Sequence, residues 1–380
     1  MIFDYETLKL IWWLFVAVLI IGFAVTDGFD LGIGTLLPFI GKDDYERRVV
    51  VNAIAPTWEG NQVWFITAGG ALFAAWPLAY AAAFSGFYIA LLLALYALFF
   101  RPVGFKYRSL IQDLRWRYAW DWALFAGAVV PAFIFGVAFG NLLQGVPFHF
   151  DRDLRVFYTG SFFAQLNPFG LFCGLLSVAL LVMHGAHYLQ IKTAGAIYER
   201  ARRAGWIAAV LMMALFAAGG FWITYGVEGY RIVSMPPLDA VPNPTAKVVE
   251  KATGAWLDNY QRYPWTMLAP ALGFAGAAMA MLFAAVNRSG IAFVASSASV
   301  TGLILTAGLS MFPFVMPSSS DPNSSLTAWD VTSSHKTLEI MFWAVVLFLP
   351  LIVAYTGWVY RVLGGKVTVE KIKSEEHTSY

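Results

Sequence analysis

Cysteine is all but missing from this chain: Cys173 stands alone. One thiol excludes an intramolecular disulfide, a C-x-x-C zinc or iron–sulfur site, and the C-x-x-C-H attachment of a c-type haem. Set in an apolar segment, Cys173 reads as a small buried apolar residue. Charge is scarce as well, with 13% Asp, Glu, Lys and Arg against roughly 25% in a soluble domain. The net charge of +2 and the lack of a basic run interleaved with aromatics argue against a nucleic-acid partner. No phosphate-binding loop, catalytic triad or dinucleotide fingerprint is present, and no metal site is expected. The N-terminus lacks the basic region and small-residue cleavage site of a signal peptide, so its first helix is expected to be retained.

What the chain has is apolar length. Hydrophobic residues make up 59% of it, in stretches that reach or approach the roughly 20 residues needed to cross a bilayer as a helix. The pattern predicts an all-α polytopic membrane protein, one integral domain over 1–380 with about nine spans at 8–38, 52–76, 78–100, 120–141, 165–190, 205–226, 264–286, 291–313 and 338–361. Trp76 and Pro77 separate spans two and three so narrowly that an antiparallel hairpin is expected. Loops after odd-numbered spans, with the tail, hold 17 of the 25 Lys and Arg, and the other side holds 8. By the positive-inside rule the N-terminus is then periplasmic, 227–263 an external loop with a short helix near 248–259, and 362–380 a cytoplasmic tail. Trp76, Trp122, Trp206, Trp265 and Trp358 fit interfacial anchoring belts. Small residues in "AGGALFAA", "GVAFGN" and "FAGAAMAM" suit close helix packing.

Against this background a few polar residues stand out. Glu59 falls in "PTWEGNQVWF", where insertion at mid-helix costs about 2.5–3.5 kcal/mol, so such a group marks an ion path or a pairing site. With the span entering at Asn52, seven helical residues carry it about 10 Å inward. Asn61 and Gln62 lie within the same turn, and with Trp58 and Trp64 they could hold ordered water or a quinone carbonyl. The plainer reading pairs Glu59 with an arginine such as Arg101. Asp27 and Asp30 are three apart and share a helix face; they either line a polar path or sit at the cytoplasmic water interface. His184 and His187 lack the further ligands of a zinc site and the pocket of a haem, and interfacial hydrogen bonding accounts for them. His149, His335 and His377 form no cluster by spacing.

The strings "TDGFDLGIG", "GNQVWFITAGGALFAAWP", "FRPVGF", "GVAFGNLLQGVPF", "FPFVMPSS" and "LTAWDVTSS" occur in that order. Together they resemble subunit II of the cytochrome bd quinol oxidases over about residues 5 to 361. The resemblance implies a bacterial cytoplasmic-membrane complex that oxidises quinol and reduces dioxygen to water. Its b-type and d-type haems would lie in a homologous subunit I, with no catalytic residue in this chain. It also implies two four-helix bundles plus one peripheral helix, a small single-span accessory subunit, surrounding membrane lipids and, in some members, a structural quinone. Coupling in the family proceeds without pumping, each charge moved being worth about 2.3 kcal/mol per 100 mV. Glu59, Asp30 and Arg101 match the cytoplasmic proton entrance, with Asp27 and Lys106 beside them. Members often carry aspartate where this chain has Glu59, and an acidic residue where it has Lys106. A proton-coupled transporter and a purely scaffolding subunit are the competing readings.

The charge count yields a direct test of topology. Reporter fusions should place Gln112 in the cytoplasm and Asp239 outside, and the reverse result would refute the assignment.

Overall fold

The computed structural model describes residues 2–374, so His377 and the end of the tail lie outside the described residues. The chain is mainly helical: α1 (Tyr5–Ile40), α2 (Asp44–Ile54), α3 (Trp58–Ala75), α4 (Pro77–Gly86), α5 (Tyr88–Leu98), α6 (Phe100–Tyr107), α7 (Leu114–Gln144), α8 (Phe162–Gln165), α9 (Pro168–Lys192), α10 (Gly195–Tyr225), α11 (Asp258–Arg262), α12 (Leu268–Ala285), α13 (Ser289–Met311), α14 (His335–Val362) and α15 (Val369–Ser374). Helix starts carry polar caps. Asp4 accepts from Thr7 N, which holds its carboxyl below the usual range, and Asn167 accepts from Gly170 N ahead of Pro168.

Helices α1, α3, α4–α6 and α7 form one four-helix bundle, and α9, α10, α12 and α13 form the second. The two meet where α9 packs on α1 and α7. Helix α14 lies at the periphery, and Leu338 is its one buried residue. Among the described residues eight helices are long and apolar enough to span a membrane. The ninth, α3, is 18 residues long and more polar, because Glu59, Asn61 and Gln62 fill its first turns.

The structure corrects the second span. It does not run from Asn52: Pro56 has no N–H for the Asn52 carbonyl, the chain turns with Thr57 N donating to Ile54 O, and a new helix starts at Trp58. The third span likewise divides at Phe87 and Phe99 and continues as helix through Tyr107. Trp122, Trp206, Trp265 and Trp358 are exposed as anchors would be, whereas Trp76 is 3% exposed and belongs to an interior cluster.

Opposite the α2 end, three two-stranded sheets close the bundles: β1 (Phe148–Phe150) with β2 (Val156–Tyr158), β3 (Glu228–Ser234) with β4 (Val248–Thr253), and β5 (Phe314–Met316) with β6 (Leu326–Thr327). The first half of the short helix expected near 248–259 is instead strand, since "VVEKAT" buries Val249 between exposed neighbours and pairs with β3; a 3-10 turn at Ala255–Leu257 then leads into α11 at Asp258. Lys9 Nζ ties the long loop to α1, donating to the carbonyls of Leu238, Ala240 and Trp329. Lys247 Nζ lies 2.9 Å from Asp330 Oδ2. Burial pushes that carboxyl above its ordinary range and that ammonium below its own.

Helix contact in lipid relies on close packing rather than water exclusion, and the α1–α9 crossing is the tightest point. A Cβ on Gly32 would lie 1.9 Å from the Leu181 carbonyl oxygen, and one on Gly185 would lie 2.7 Å from Ile33 N. Backbone cannot yield as a side chain can. Gly32→Ala should cost about 1–3 kcal/mol, seen as a lowered melting temperature, whereas Gly357→Ala on α14, where a Cβ meets nothing within 4 Å, should not.

Candidate functional site

From Asp27 to Leu37 nearly every residue of α1 is buried. Asp27 and Asp30 are 0% and 1% exposed, about 15–20 Å of helix away from the Ile40 end. Continuation of helix beyond Phe99 brings Arg101, 2% exposed, to the same level from α6. Its Nη1 and Nη2 donate to Asp27 Oδ2 and Oδ1 at 3.0 and 2.6 Å. This is the two-pronged geometry that suits guanidinium and carboxylate. Nη2 also lies 3.8 Å from Asp30 Oδ2, which accepts from Asn61 Nδ2 at 2.8 Å. The guanidinium sits 5.3 Å from the Trp58 ring, and Trp58 packs on Phe105.

Two carboxylates share one guanidinium, so one of them lacks a full counter-charge. Among the described residues Asp30 Oδ1 has no hydrogen-bond partner. Beside it lies a cavity of about 10 Å³, walled by Val50, Val51 and Ile54 of α2 and by Arg101, Phe105 and Leu124. That is room for about one water. The cluster can hold a proton and a water in an otherwise apolar layer.

The structure thus gathers Asp27, Asp30, Arg101, Asn61 and Trp58, and the alternative of two aspartates at the water interface is corrected by their burial. Glu59 is not among them. It lies in the first turn of α3 and is exposed on the chain's surface, because residues two apart on a helix point to nearly opposite sides and Asn61 takes the inward one. Its suggested pairing with Arg101 is replaced by the Asp27–Arg101 pair. Lys106 is exposed and apart from the cluster. Trp64 packs against Gly22, where a Cβ would meet its ring at 2.4 Å, and Gln62 is half-buried. His184 and His187 make hydrogen bonds, as expected, and both are fully buried in the chain: His184 lies between Ser296 Oγ and the Val25 carbonyl at 2.8 Å each, and His187 against Gln190.

A second buried charge cluster escaped the sequence reading. Asp121, 0% exposed, accepts from Arg108 Nε at 2.6 Å and Arg47 Nη1 at 3.0 Å, while Asp44 bridges Arg108 and Arg117. These pairs fasten α2 to α7. The available signal was an aspartate amid tryptophans in "RYAWDWALF".

The sequence profile of the family described as cytochrome bd terminal oxidase subunit II matches residues 8–363. This chain belongs to that family. Among the family's members, cytochrome bd-I ubiquinol oxidase subunit 2 of Escherichia coli K12 is 52% identical over 99% of this chain and 100% of its own length. Cytochrome bd ubiquinol oxidase subunit 2 of Bacillus subtilis is 30% identical over 94% of this chain and 96% of its own length. A chain of the bd oxidase structure from Geobacillus thermodenitrificans has the same fold, with a TM-score of 0.68 at 15% identity over 94% of this chain and 98% of that one. As a subunit II of a bd-type terminal oxidase, the chain is a multi-pass membrane protein of an oxidoreductase. Among its described residues no group of three or more His, Cys, Asp or Glu could hold a metal ion, and both ring nitrogens of His184 are already engaged.

Removing one partner of a buried ion pair costs about 3–5 kcal/mol, and removing both costs less. Arg101→Gln should therefore cut recovery of folded chain sharply, and Asp27→Asn in the same chain should restore part of it, as judged by yield and melting temperature.

Proposed function

We propose that this chain is the haem-free subunit II of a quinol:oxygen oxidoreductase, and that its Asp27–Asp30–Arg101–Asn61 cluster passes protons from the cytoplasm toward the site of water formation. The haems and the quinol-oxidation site belong, in this reading, to a homologous subunit I, with a small single-span subunit alongside. The cytoplasmic side is the α2 end and the N-terminus is periplasmic. One observation carries the proposal: a fully buried carboxylate oxygen, Asp30 Oδ1, without a partner and next to a water-sized cavity. Buried polar atoms are otherwise almost always satisfied, so an open one has a function or a water to explain it.

Glu59 is the outer group of this path, an exposed carboxylate that collects protons at the start of α3, with Asp30 as the inner station. Lys106 and the Arg108–Asp121 network stand around the α2 end and set the local field. Membership of the oxidase family favours this reading over a transporter. A structural quinone would have to find its place outside the Trp58–Asn61–Gln62–Trp64 group as one pocket, since Trp64 is committed to Gly22.

Asp30→Asn keeps the shape and the acceptor for Asn61 but removes the titratable group. In the assembled oxidase in proteoliposomes it should slow oxygen reduction several-fold with haem spectra intact, and Glu59→Gln should slow it less. Full turnover in both variants would leave the chain a scaffold, with protons taken up through subunit I.

A further inference from the structure

We infer that Tyr360 is a positioning residue for Asp30, acting through the side-chain amide of Asn61; the inference deepens the proton-path reading and rests on it. Tyr360 is a half-buried residue of the peripheral helix α14, whose one buried residue is Leu338. Near the inner end of that helix its ring turns toward Phe29, 6.4 Å away, and its hydroxyl donates to Asn61 Oδ1 at 2.5 Å. Asn61 Nδ2 in turn donates to Asp30 Oδ2 at 2.8 Å. The end of α14 is fixed from the second bundle, where Lys192 Nζ donates to the Leu363 carbonyl and Val367 N donates to the Lys192 carbonyl, each at 2.7 Å.

The direction of this chain matters. A side-chain amide has an oxygen end and a nitrogen end of almost the same shape, and only its partners decide which faces where. With Tyr360 donating to Oδ1, the amide must present N–H to Asp30. Turned over, it would set its oxygen against a carboxylate oxygen in a buried site, where the low dielectric strengthens the repulsion. A residue on the outermost helix therefore holds the polarity of the innermost contact. The occupied oxygen of Asp30 is pinned, and the other, Oδ1, is left without a partner on a residue that lines the cavity. Removing the hydroxyl frees Asn61 to turn and frees Asp30 to present either oxygen.

The test uses the assembled oxidase with Tyr360→Phe, Asn61→Ala, the pair together, and Asp30→Asn. Infrared difference spectra identify the Asp30 carboxyl bands as those lost in Asp30→Asn. Tyr360→Phe should shift those bands, change the pH profile of oxygen reduction and lower turnover about three- to tenfold, the worth of one hydrogen bond, with the haem spectrum unchanged. It should add nothing in the Asn61→Ala background. Unmoved Asp30 bands and pH profile in Tyr360→Phe, or losses that simply add in the double variant, overturn the inference. If Asp30→Asn keeps full turnover while Tyr360→Phe still moves the Asp30 bands, the proton path fails and the positioning stands. If Asp30→Asn is slow and Tyr360→Phe leaves the bands in place, the positioning alone fails.

Discussion

A guanidinium buried in an apolar layer has to be paired, and the Asp27–Arg101 contact is the constraint around which the first bundle is arranged. An unpaired charge there would cost more than most single packing contacts return. The pairing requires α6 to continue the helix past Phe99 and requires α1 to remain helical through Asp30 without reaching water. Trp58 lies against the guanidinium and Asn61 donates to one oxygen of Asp30, so the start of α3 is fixed by the same cluster. Three helices are thereby held at one level by polar contacts that lipid cannot supply.

Those polar contacts hold only because the surrounding helices come close. Gly32 and Gly185 let α1 and α9 approach until backbone touches backbone, which seals the aspartates from the second bundle. On the α2 side the seal is of another kind. Val50, Val51 and Ile54 face the cavity while Asp44 and Arg47 tie the same helix to Arg108, Arg117 and Asp121. Helix α2 therefore has an apolar wall toward the site and an ionic clasp away from it, which an amphipathic eleven-residue helix provides.

The two ends of the molecule are ordered by different means. At the α2 end, arginines and aspartates pair between the short helix α2, the end of α6 and the start of α7. At the sheet end, hairpins and the long loop are held by buried lysines, with Lys9 satisfying three carbonyls and Lys247 meeting Asp330. Between these two ends the Asp27–Arg101 pair and the Asn61–Asp30 contact are enclosed on all sides by helix, so the frame around Asp30 is set by the fold as a whole.

The sequence by itself determined the class, because long apolar runs and scarce charge have one solution in a bilayer, and it determined the family through six strings in order. Asp27, Asp30 and Arg101 were legible as candidates since charge is rare enough to be conspicuous. Their grouping was not. Whether Arg101 reached Asp27 or Glu59 depended on where helices restart, and the turn at Pro56 moved Glu59 to the surface while sending Asn61 inward. Asp121 was passed over because its partners Arg47 and Arg108 come from distant segments. Tyr360 gave no signal at all, as one aromatic among several on a peripheral, largely exposed helix. Periodicity and composition are local properties, whereas a buried polar contact is decided by which helices meet, and only the tertiary structure brings residues 30, 61, 101 and 360 to one place.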